Sequence, residues 1–222
     1  MNIPTLVDHD AFTEIFDKVI DKAEDGIVIV EVGVLVGGTV CYFSQKLQEK
    51  GITHTIIAID NFKFDTINGG DVIKYTNGQS PYIAYNNNLR KAKAKVMTFI
   101  GDSIDVSKLF KDESIDFLFL DGDHTAPYVV EELKSWLPKM KPDSMIAGHD
   151  FLNSPDVQIA CTLILKNVET TSTKSSYFKQ IGEGVMGKKK EKDKEPKLGW
   201  IRFLFWLYRW GTWFKSLFSI GK

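Results

Sequence analysis

With 222 residues, 43% of them hydrophobic, the chain can bury one substantial core, so one domain with a short appendage is expected. Two cysteines, Cys41 and Cys161, stand in apolar helical contexts and exclude a disulfide framework or a cysteine-rich metal cluster, and the opening MNIPTLVDHD lacks the basic and apolar regions of a secretion signal, so a cytoplasmic protein is expected. The net charge of −1 hides an asymmetry: residues 188–222 carry ten basic and three acidic side chains, net +7, which leaves −8 on residues 1–187 and disfavours nucleic acid as a partner of the main domain.

Residues Asp10 to Lys22 place Phe12, Ile15, Phe16, Val19 and Ile20 at helical spacing, an apolar face suited to covering a sheet. Ile27 to Val30 is a β-branched run that suits a strand buried on both faces. It breaks into Glu31, Gly33, Gly37 and Gly38 before Thr39 to Lys50, a helical pattern stopped by Gly51. Strand, glycine turn and helix let a backbone approach a nucleotide closely, because glycine has no Cβ and tolerates positive φ. The order here is Gly33-x-x-x-Gly37-Gly38, not the G-x-G-x-x-G of a pyrophosphate site. Glu31, two residues before the first glycine, would repel a pyrophosphate and attract an ammonium or sulfonium group. S-adenosylmethionine is therefore the expected cofactor. An NAD-dependent oxidoreductase is the alternative that this spacing disfavours, and a non-catalytic binding protein on the same fold is the other.

His54 to Asp60 reads as a second strand, ending in an acid about 20 residues after the glycine loop, where a ribose-binding carboxylate belongs. Asn61 to Pro81 reads as a loop and Tyr82 to Ala94 as a helix. Val96 to Ile100 predicts a third strand stopping at Gly101-Asp102-Ser103, and Ser114 to Leu120 a fourth stopping at Asp121-Gly122-Asp123-His124. Tyr128 to Leu137 is an amphipathic helix closed by Pro138. Ser144 to Ala147 predicts a fifth strand ending at Gly148-His149-Asp150. Strands alternating with helices imply an α/β fold, a Rossmann-like doubly wound parallel sheet with helices on both faces. Ligands gather at the carboxyl ends of such strands, where every polar cluster falls.

The segments EVGVLVGGT, IIAIDNF, FIGDS and FLFLDGDHTAPYVVEELKSWLPKMKPDSMIAGHDF carry a resemblance. The last is the most specific, with D-G-D-H after one hydrophobic strand and G-H-D after the next. Over residues 10–187 the chain resembles a class I S-adenosylmethionine-dependent methyltransferase of the methyltransferase family 24 type, alongside macrocin O-methyltransferase and cephalosporin hydroxylase relatives. The resemblance implies that Glu31, Gly33 and Gly37 surround the methionine portion of the cofactor. Asp60 and Asn61 would take the ribose hydroxyls, Asp102 and Ser103 would lie near the adenine, and Asp121 would join the cofactor site. It also implies a seven-stranded sheet finished by an antiparallel hairpin, for which Ser176 to Ile181 and Val185 to Lys188 around Gly182-Glu183-Gly184 are the expected strands. Asp60 and Asp102 have a second reading as caps of local structure.

Methyl transfer is an in-line displacement at an activated carbon, so the protein positions the acceptor and helps remove its proton. An oxygen acceptor, on a small molecule, a sugar or a lipid-linked glycan, needs the most help, which a divalent ion such as Mg2+ or Mn2+ supplies. Asp121, His149 and Asp150 either converge on that ion or close the strand ends by hydrogen bonds alone. Family relatives more often carry a carboxylate at the place of His149. Asp121 and His124 are the expected catalytic pair, with His124 as general base because an unperturbed imidazole titrates near neutral pH.

Residues 1–187 thus form the expected methyltransferase domain, 188–197 a charged linker and 198–222 an amphipathic tail helix. The tail holds nine aromatics, four of them tryptophan, and no acid. Arg202 and Arg209 oppose a spanning helix. The helix either lies in a membrane interface, making the protein peripheral, or packs on protein, for instance in a homo-oligomer.

Overall fold

A computed structural model describes residues 9–63, 76 and 78–182. The expected linker 188–197, the tail helix 198–222, the segment 185–188 and most of the loop 61–81 lie outside the described residues. A seven-stranded sheet has the order β3-β2-β1-β4-β5-β7-β6. The strands are β1 Ile27–Val32, β2 His54–Asp60, β3 Met97–Ile100, β4 Ile115–Leu120, β5 Met140–Gly148, β6 Glu169–Thr170 and β7 Tyr177–Gln180. The first five pair in parallel, while β7 runs antiparallel to both β5 and β6.

The helices are α1 His9–Asp21, α2 Gly38–Glu49, α3 Pro81–Ala92, α4 Ser103–Ser107, α5 Ala126–Trp136 and α6 Pro155–Ile164. Two of their starts follow from local chemistry. Ser80 and Ser154 each accept a backbone N–H from the first turn, from Ile83 and Val157, and a proline follows each serine where no N–H is needed.

Strand periodicity divides the core in two. Ile27 and Ile29 of β1, Ile56 and Ala58 of β2, Phe117 and Phe119 of β4, and Met145 and Ala147 of β5 share one buried cluster with Phe12, Phe16, Phe43 and Tyr85. Helices α1, α2 and α3 supply that face. Phe16 anchors it, with ring centroids 4.5 Å from Phe43 and 5.1 Å from Phe119. The alternate residues Val30, Val32, Ile57, Ile59, Leu118, Leu120 and Ile146 are buried outside that cluster, as are Val129, Val130, Leu133 and Trp136 of α5. Cys41 and Cys161 are buried free thiols.

Two expectations need correction. The fifth strand is longer than Ser144–Ala147, because Met140–Gly148 pairs with β4 through an irregularity. Its register steps from Ile115–Met140 to Phe117–Met145, and Asp143 takes φ +61°. The polar Lys-Pro-Asp-Ser stretch marks this kink, not the end of the strand. The hairpin is also displaced: Tyr177–Gln180 is its second strand and Glu169–Thr170 its first, joined by a Thr- and Ser-rich turn. Hydroxyls satisfy that turn locally, as where Thr173 and Ser175 meet at 2.7 Å, so no glycine is required.

Candidate active site

The carboxyl ends of β1, β2, β4 and β5 meet at one edge of the sheet, on both sides of the switch in strand order between β1 and β4. Gly33 leaves β1 at φ +80° and donates its N–H to the Ile59 carbonyl at 2.9 Å. A Cβ there would collide with the Asp121 carbonyl and lie 2.8 Å from the Gly122 nitrogen. The first requirement for glycine is thus closure of β1 onto β4. Gly37, at φ +75°, precedes α2, and a Cβ on it would lie 2.7 Å from the Tyr85 ring.

Glu31 is 2% exposed. One carboxylate oxygen accepts the Thr39 hydroxyl, and the other has no hydrogen-bond partner among the described residues. Burial pushes its pKa up to about 8; the Thr39 hydrogen bond pulls it down, while the charges of Asp121 and Asp60 push it up further. A donor cation is what such a group lacks. The residues therefore fit a cofactor that brings an ammonium and a sulfonium.

Asp60 fastens the loop that follows β1. Its two oxygens accept the N–H groups of Leu35 at 3.0 Å and Phe62 at 2.7 Å, and both of those residues have positive φ. Carboxylate oxygens have further acceptor capacity, so these bonds leave room for ribose hydroxyls. Asn61 accepts the Lys63 N–H at 2.8 Å and is exposed. Substituting Asp60 by Ala strands two N–H groups and is expected to cost about 1–3 kcal/mol of stability in urea denaturation, before any effect on cofactor.

Asp102 caps α4 through the N–H groups of Ile104 and Asp105, and its second oxygen accepts the Tyr128 hydroxyl at 2.7 Å. The Ser103 hydroxyl is buried and accepts the Trp136 indole N–H at 2.8 Å. The capping reading of Asp102 is therefore present in the fold, and the Ser103 side chain is turned to the core.

Asp121, His124, His149 and Asp150 do come together. His124 Nε2 lies 3.0 Å from Asp150 and 3.7 Å from Asp121, and His149 Nδ1 lies 3.3 and 3.6 Å from the same carboxylates. Ligand atoms of Asp121, His124 and Asp150 all fall within 4.8 Å of one another, a donor set that fits a divalent ion. His149 of the expected trio stands at the same two carboxylates, and His124 joins them there. The short loop after β4 turns His124 back over the aspartates, while the His149 ring packs against Phe12 with centroids 4.7 Å apart.

Both imidazoles are held protonated by their neighbours. Hydrogen bonds to Asp121 and Asp150 raise His124 to about 10. For His149 burial works downward, but the same two carboxylates outweigh it and bring it to about 9. The two rings hold the Asp150 carboxyl well below the usual range. His124 as found here is thus an imidazolium, and the near-neutral titration expected of a free base does not hold.

Tyr128 and Glu132 carry no motif. Glu132 is 1% exposed, with one oxygen unpartnered, and burial pushes it up to about 7 despite the Ser103 hydrogen bond. Its sequence signal is an acid inside the apolar stripe Val129, Leu133, Trp136 of α5.

A family model described as a methyltransferase domain, family 24, matches residues 30–151, more than half of the chain. A curated relative, the uncharacterized protein y4gI of Sinorhizobium fredii, is 27% identical over 126 residues; the match covers 55% of this chain and only 13% of that protein. Among solved structures, the O-methyltransferase NovP is similar with TM-score 0.60 at 16% identity, over 77% of this chain and 78% of its own. CalS11, a TDP-rhamnose 3'-O-methyltransferase of calicheamicin biosynthesis, gives 0.53 at 16% identity over 78% and 77%. An O-methyltransferase of Bacillus cereus in complex with SAH gives 0.52 at 15% over 78% and 82%. At these identities the structures speak for the fold. With the glycine loop, the sheet order and the family match in agreement, the chain belongs to the class I S-adenosylmethionine-dependent methyltransferases, in methyltransferase family 24.

Proposed function

We propose that the protein transfers the methyl group of S-adenosylmethionine to a hydroxyl oxygen of a small-molecule, sugar or lipid-linked acceptor, with help from a divalent ion. The observation that carries the cofactor end is the buried Glu31 oxygen that no group among the described residues satisfies. Glu31 takes the ammonium, Gly33 and Gly37 let the backbone close on the methionine portion, and Asp60 with Asn61 takes the ribose. Asp102 and Ser103 border the adenine, Ser103 through its backbone.

Asp121, His124 and Asp150 hold the ion. A bound divalent ion lowers the pKa of an acceptor hydroxyl and fixes its direction. His149, wedged between Phe12 and both carboxylates, keeps the aspartates aligned. The sulfur–methyl bond breaks as the oxygen–methyl bond forms, and the hydroxyl proton passes to Asp121, whose distances to both imidazoles are the longer ones. His124 would act in this scheme as a ligand, the ion taking the place of its ring proton, which is released to solvent. Oxygen as the acceptor atom and a sugar-like acceptor are supported by the described activities of NovP and CalS11, proteins of the same fold.

Thermal shift tests the cofactor end. S-adenosylmethionine at a hundred times its Kd is expected to add about 2.7 kcal/mol of stability, and NAD none. A rise with NAD alone would move the protein to the oxidoreductases. Labelled cofactor incubated with sugars and lipid-linked sugars tests the acceptor, and label found only on nitrogen or carbon acceptors rejects it.

The domain division 1–187, 188–197 and 198–222 belongs to the same proposal, with the aromatic and basic tail bringing a cytoplasmic enzyme to an anionic membrane surface. No helix among the described residues is long and apolar enough to cross a membrane. The full chain is expected to float with liposomes containing anionic lipid, and a chain ending at residue 187 to stay behind. Flotation of the shortened chain rejects the membrane role.

A further inference from the structure

We propose that the Asp121, His124, Asp150 site selects a transition-metal dication, such as Mn2+ or Co2+, over Mg2+. This rests on the metal-assisted reading above and sharpens it. Magnesium is held almost entirely by oxygen and keeps several waters, whereas an imidazole among the ligands favours the first-row transition metals. Here an imidazole is built into the set. His124 Nε2 stands 3.0 Å from Asp150 and 3.7 Å from Asp121, so any ion between the two aspartates is also presented with a nitrogen.

A second observation supports His124 as a ligand. A cavity of about 10 Å³ lies behind the cluster, bounded by His124, His149, Glu132 and Tyr177 among others, and it has room for one water. Glu132 lines this cavity, and one of its oxygens has no hydrogen-bond partner among the described residues. A metal-bound histidine usually gives its other ring N–H to a carboxylate, a carbonyl or a water. Glu132, through one water, is a carboxylate with an acceptor to spare.

The test is calorimetric titration of the full chain with Mn2+, Co2+ and Mg2+, together with pulsed electron paramagnetic resonance of the Mn2+ complex to detect coupling to a ring nitrogen. Mn2+ and Co2+ are expected to bind at least about tenfold more tightly than Mg2+. The nitrogen coupling is expected in the unaltered protein and absent in His124→Asp, where the preference moves towards Mg2+. Equal affinities for Mn2+ and Mg2+, or nitrogen coupling that survives in His124→Asp, would overturn the assignment while leaving metal assistance standing. Should no dication bind the unaltered chain, both fall. Because the affinity ranking and the nitrogen signal are read on the unaltered chain, a variant that failed to fold would not rescue the proposal.

Discussion

Replacing Glu31 by Gln is expected to weaken S-adenosylmethionine binding by about 10- to 100-fold while leaving the chain folded, because a charge-assisted hydrogen bond worth about 1.5–3 kcal/mol is lost. The pH dependence makes this specific. In the cofactor-free protein the Glu31 carboxyl is raised to about 8, so the folded state holds its proton more tightly than the unfolded chain does. The stability that Glu31 contributes is full below the ordinary carboxylate range and is lost as pH rises from there through about 8. Below about pH 4 the side chain is neutral in both states, so the Gln variant should match the parent in urea denaturation, whereas at pH 7 the parent must already take up a proton to fold and the variant should be the more stable. At pH 9 the parent carries a buried charge and the variant does not, so the variant should be the more stable. Cofactor affinity runs the other way, because binding uses the ionised form: it should fall about tenfold per pH unit below about 8 in the parent and stay flat in the variant. Calorimetry between pH 6 and 9 reads both, and a parent affinity that is flat over that range would remove Glu31 from the cofactor site.

Gly33→Ala is expected to be strongly destabilising. The residue has φ +80°, and the added carbon would collide with the Asp121 carbonyl and crowd the Gly122 backbone. A left-handed conformation costs a non-glycine residue about 1–2 kcal/mol, and forcing backbones apart in a packed region costs about 1–3 more. The sum is a large part of the roughly 5–15 kcal/mol that holds a domain together. Gly26→Ala is the control, since it shares the φ but has nothing within 4 Å. It should cost only the conformational part. Similar urea midpoints for the two variants would show that β1 and β4 can part without penalty.

Much of this architecture could be read from the chain because its determinants are local. Buried runs such as IVIV and DFLFL announce strands fully covered by helices, and each polar cluster follows such a run. What remained hidden depended on contacts between distant residues. That His124 joins His149 at the two aspartates follows from the path of the loop after β4, and no spacing along the chain encodes it. The displaced hairpin reflects the opposite problem: Gly182 and Gly184 look like turn residues, yet hydroxyls at 171–176 make the turn without them. Glu31 was found by its place before the glycines, but that its second oxygen has no partner is visible only in three dimensions.

Glu31 and Asp60 stand on β1 and β2, and Asp121, His124, His149 and Asp150 follow directly after β4 and β5. The parallel part of the sheet thus sets the spacing of every carboxylate and imidazole at this edge, so a change that slid one strand along its neighbour would move the Glu31 and Asp60 carboxylates relative to the histidine cluster.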